Sequence, residues 1–93
     1  MIVAAAMVTI HIPWALSLKD KRMEVKSLCA KVRNKFNASI AEVDLQDIHR
    51  QMMLGFACVV NDRAVADSMV DRILEFLQAN TEGEIIDIRR ELL

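Results

Sequence analysis

Two apolar runs set the terms on which this chain can fold. Residues 2 to 12 place Ile2, Ala4, Ala6, Val8, Ile10 and Ile12 on one side of an extended backbone and Val3, Ala5, Met7, Thr9 and His11 on the other. Residues 52 to 60 repeat the pattern, with Met53, Gly55, Ala57 and Val59 opposite the bulkier Met52, Leu54, Phe56 and Cys58. Strands apolar on both sides belong in the middle of a sheet, where neighbours pair both edges and other layers take up the faces. The remaining candidate strands, 38–43 and 84–91, carry Glu42, Glu84, Asp87 and Arg89, as edge strands do. Ile86 and Ile88 are expected to face one way on the last of them.

Between these runs lie two amphipathic helices. Ser17 followed by Asp20 is a capping signal that opens a helix to about Phe36, with Leu18, Val25, Leu28, Cys29, Val32 and Phe36 as its buried stripe. Asn61 or Asp62 caps a second helix, in which Ala66, Met69, Val70, Ile73, Leu74 and Leu77 recur at helical spacing. Pro13 ends the first strand, and Asn80 to Gly83 stop the second helix. The order strand, helix, strand, strand, helix, strand predicts one α+β domain over residues 1–93. It would be a ferredoxin-like two-layer sandwich, βαββαβ, with an antiparallel four-stranded sheet and two helices on one face.

The first fixed charge arrives only at Lys19, so residues 1–18 approach the length of a membrane span. Thr9, His11 and Pro13 interrupt them and no basic residue precedes them, which argues for a buried strand and against an export or membrane segment. Cys29 and Cys58 lack the close pairing of a zinc site and read as buried free thiols, the habit of a reducing cytoplasm.

Charge is distributed unevenly behind a formal net of −1. Residues 19–35 hold seven basic and two acidic side chains, a segment charge of +5, and the rest of the chain carries −6. At 100° per residue Lys19, Arg22, Lys26 and Arg33 form one ridge beside the apolar stripe, with Lys21 near the helix start. Such a ridge can meet successive phosphates, so these five residues are the candidate RNA- or anion-binding set. A solvated face of an ordinary amphipathic helix accounts for the same letters. Trp14 at the strand-to-helix corner covers the end of the core or anchors a partner, with His49 and Arg50 as further partner-binding candidates. If the helices cover one face, the other presents Val3, Ala5, Met7, Met53, Ala57 and Val59, a candidate homodimer interface.

The segment EVDLQDIHR offers Glu42, Asp44, Asp47 and His49, ligand types without a metal-site spacing; turn formation explains them, and no metal or cofactor is expected. Gly-rich phosphate loops, nucleotide fingerprints and nucleophile triads are absent from the sequence.

The runs HIPWALSLKDKR, NKFNASIAEVD and QD followed by LGFACVVND resemble the DUF503 (YlxP-like) family of small bacterial proteins across nearly the whole chain. His49 departs from that resemblance, which leads one to expect an aromatic residue there. The resemblance implies a ferredoxin-like fold, a cytoplasmic protein without an established reaction, and, through gene neighbourhoods, a connection to ribosomes or RNA. The expectation is an accessory protein, not an enzyme, that binds RNA or a ribosomal particle through its first helix. The alternative is a dimeric small-ligand or protein-regulatory module.

Overall fold

In the computed structural model, which describes residues 1–93, the elements follow in the order β1 (Ile2–His11), α1 (Leu18–Lys35), β2 (Ser39–Asp44), β3 (Gln51–Val60), α2 (Arg63–Asn80) and β4 (Glu84–Leu92). The strands form one antiparallel sheet in the order β2-β3-β1-β4. The two strands that are apolar on both sides are thus central. The chain has a ferredoxin-like α+β fold with both helices on one sheet face.

Local chemistry fixes the helix starts. Ser17 Oγ accepts from Asp20 N at 3.1 Å, and Asp20 Oδ2 accepts from Leu16 N at 2.9 Å. The shorter arm of Asp, compared with Glu, thus serves the residue before the cap. Asp62 caps α2 by accepting from Ala64 N at 2.7 Å and Val65 N at 3.3 Å. The even-numbered residues of β1 and β3 point into the core, where Leu28 and Val32 of α1 and Val70, Ile73 and Leu77 of α2 cover them. Phe36 and Phe76 join the helices edge to face, with centroids 5.5 Å apart.

One expectation about β4 is corrected. The register against β1 shifts between Thr9 and Ile10, so that Ile10 faces Ile85 and Val8 faces Ile88. Ile85 and Ile88 therefore share the helix-covered side, and Ile86 is the extra residue of a β-bulge, 50% exposed.

The two glycines separate a rigid contact from a soft one. A Cβ at Gly83 would lie 2.5 Å from the His11 carbonyl oxygen, and one at Gly55 would lie 2.8 Å from Val43 Cγ1. Backbone cannot yield, whereas the exposed Val43 side chain can turn toward solvent. Gly83→Ala should therefore lower stability by about 1 to 3 kcal/mol and Gly55→Ala by clearly less, read from urea midpoints. Equal losses would contradict this ranking.

Candidate nucleic-acid interface

The stripe of α1 contains two charged residues. Lys21 lies three after Leu18 and four before Val25, and Glu24 lies four before Leu28. Both fall on the face that packs against the rest of the fold. Lys21 is completely buried, and its ammonium donates to the carbonyls of Leu45 and Ile48, the latter at 2.6 Å. Its Nζ also stands 2.8 Å from Glu42 Oε2. That carboxylate oxygen lies off the directions of a hydrogen bond and has no other partner, so the contact is a charge pair more than a directed bond. Leu45, whose carbonyl meets the ammonium, adopts the left-handed region at φ 62°. Asp44 Oδ1 accepts its N–H at 2.8 Å.

Lys21 is consequently corrected from the anion-binding set: it is an internal anchor, and no phosphate can reach its ammonium. Sequence reading missed this by assigning lysine to solvent, although the three-and-four spacing already placed it in the stripe. Glu24 makes the counterpart contact on the opposite flank. Its Oε2 accepts from Thr81 Oγ1 and Glu82 N, both at 2.9 Å, and Thr81 Oγ1 accepts from Gly83 N. The two charges clamp α1 between the connection after β2 and the turn after α2.

With its inner side so fixed, α1 turns Lys19, Arg22 and Lys26 to solvent. None of the three is in an ion pair, whereas Lys21, Arg89 and Arg90 each have a carboxylate partner. Arg33 is exposed at the far end of the ridge but donates through Nη2 to the Ile40 carbonyl at 2.6 Å, which ties it to edge strand β2. Lys35, on the other flank, places its ammonium 5.1 Å from the Phe76 ring centre. The free cations of the ridge are thus Lys19, Arg22 and Lys26, with Arg33 partly engaged; Lys31, off the ridge on the other flank, is also exposed and unpaired.

Trp14 is neither packed away nor free: it is 43% exposed, and its Nε1 donates to the Glu82 carbonyl at 3.2 Å. His49 is half-buried and Arg50 exposed, in a connection whose end is held by Ile12 N donating to the Arg50 carbonyl at 2.8 Å. Val3, Ala5, Met7, Met53, Ala57 and Val59 lie on the sheet face without helices. Asp44, Asp47 and His49 do not converge with Glu42 into a cluster of metal-binding side chains. Burial raises the pKa of both Cys29 and Cys58; at Cys29 the nearby Arg33 opposes that shift and Glu42 adds to it. No helix is long and apolar enough to cross a membrane.

Removing the ammonium would leave Glu42 without its counter-ion and the Ile48 carbonyl without this donor. Lys21→Met should therefore cost about 3 kcal/mol or more, and Lys21→Met/Glu42→Leu should recover a substantial part of that loss. A loss below about 1 kcal/mol in urea unfolding would contradict the anchor.

A family model described as "Protein of unknown function (DUF503)" matches residues 3–90. The chain is also similar to an "Uncharacterized protein YlxP" of Bacillus subtilis (strain 168), 36% identical over 75 residues, which cover 81% of this chain and 82% of that protein. The chain belongs to the DUF503 family.

Proposed function

We propose that this chain is an accessory protein that binds structured RNA, such as that of a ribosomal particle, through the outer face of α1 and catalyses no reaction of its own. The observation that carries this reading is the set of exposed, unpaired cations at Lys19, Arg22 and Lys26 on a helix whose inner face is fixed by Lys21 and Glu24. At a rise of about 1.5 Å per residue the three span about 10 Å along the helix, a reach that suits neighbouring phosphates of a folded backbone. Fixed placement matters because flexible cations lose more entropy on binding than those projecting from an ordered scaffold.

Base stacking on the sheet is a poorer account. Sheet-based readers of single strands use aromatic rings on the open face. Phe56, the one aromatic residue on the central strands, is buried on the helix side. Backbone recognition needs no such rings.

Lys19→Gln/Arg22→Gln/Lys26→Gln should weaken binding to structured RNA at least tenfold. It should also reduce the slope of log affinity against log salt by about 3, one unit for each phosphate that is no longer neutralised. The thermal midpoint should stay near wild type because all three side chains are exposed. Arg63→Gln on α2 is the matched control. Absence of binding at low salt, or a triple variant with the wild-type salt slope, would overturn the reading.

A further inference from the structure

The two edges of the sheet are finished differently. β2 is short, its pairing with β3 shifts between Glu42 and Asp44, and Arg33 occupies the Ile40 carbonyl. Each feature hinders the addition of another strand. β4 has none of these protections along Asp87–Leu92. Val3 and Leu93 exchange both backbone hydrogen bonds at 2.8 Å, which sets the alternation along the pair. Asp87, Arg89 and Glu91 therefore turn their backbone groups toward β1, and Ile88, Arg90 and Leu92 turn theirs outward. β1 is the only strand paired with β4, so that outer row is free. Ile88 is 45% and Leu92 39% exposed along it.

We infer that β4 is a self-association edge, which pairs antiparallel with β4 of a second copy about a two-fold axis through Ile88. The charge sequence selects both the occupant and the register. With Ile88 opposite Ile88 of the second copy, the two residues exchange backbone hydrogen bonds. Asp87 then stands opposite Arg89 of the copy, and Arg89 opposite its Asp87, at non-hydrogen-bonded sites where side chains approach most closely. Centring the axis on Arg89 instead sets Arg89 against Arg89 and Asp87 against Glu91. Centring it on Arg90 sets Arg90 against Arg90. Of these three registers, only the Ile88 one meets opposite charge twice and like charge nowhere. Within one copy Asp87 and Arg89 already lie 3.4 Å apart on the same face, positioned to share the paired charges across the axis. The result is a continuous eight-stranded sheet, an isologous contact that closes on itself.

Sedimentation equilibrium of the full chain, with far-ultraviolet circular dichroism to confirm folding, tests this. The expected results are a wild-type dimer at micromolar concentration, a monomer for Asp87→Arg, and a dimer again for Asp87→Arg/Arg89→Asp. Oxidised Ile88→Cys should give a cross-linked dimer, because directly opposed residues of such a pair lie at a separation a disulfide accepts. Buried Cys29 and Cys58 do not compete. A monomeric wild type would overturn the inference. So would a dimer indifferent to both charge reversals, or cross-linking through Ala57→Cys on the open sheet face or Arg90→Cys in place of Ile88→Cys.

Discussion

A lysine ammonium with no access to water ties the first helix to an edge strand and to the connection that follows it. Lys21 belongs to α1, Glu42 to β2, and Leu45 and Ile48 to the connection that follows. Burying such a charge costs several kcal/mol unless it is paired and its donors are satisfied; here one carboxylate balances the charge and two carbonyls accept from it. The left-handed Leu45 belongs to the same arrangement. That backbone state costs a leucine about 1 to 2 kcal/mol, and it is retained where its carbonyl serves both the ammonium and Ile48 N. Glu24 repeats the device with opposite sign at the turn after α2. A helix clamped by one cation and one anion on its inner side has a fixed outer side, and that outer side carries Lys19, Arg22 and Lys26.

Most of the architecture was legible because it rests on periodicity. The apolar character of β1 and β3 on both sides set their central place, and Ser17 and the pair Asn61 and Asp62, of which Asp62 is the cap, marked the helix starts by chemistry that acts within a few residues. Two features were hidden for different reasons. Lys21 was misplaced because residue type outweighed spacing, although the stripe through Leu18, Val25 and Leu28 already included its position. The bulge at Ile86 depends on how β4 aligns with β1, and nothing within β4 encodes that alignment. Trp14 lies between its two expected roles, because a single carbonyl at Glu82 holds its polar edge while much of the ring stays in solvent.

The cationic ridge and the free edge occupy different flanks of the sandwich. α1 packs over β2 and β3, and Arg33 reaches the β2 side. α2 packs over β1, β3 and β4, and its Asp67 and Asp71 hold Arg90 from the helix side. Pairing through β4 would therefore leave one ridge at each outer flank of the assembly. Two separated cationic faces on one rigid sheet would raise effective concentration at a large RNA without adding any interaction within either copy.

The measurement that bears most directly on this account is hydrogen exchange at the Ile48 amide, which donates to the Leu45 carbonyl beside the Lys21 ammonium. With the connection anchored, that amide should be strongly protected in the wild type and exchange rapidly in Lys21→Met, while the β1 and β3 amides of the same variant stay slow. An Ile48 amide that already exchanges at the rate of an open loop in the wild type would show that the connection is not held, and the buried lysine would lose its place as the organising contact.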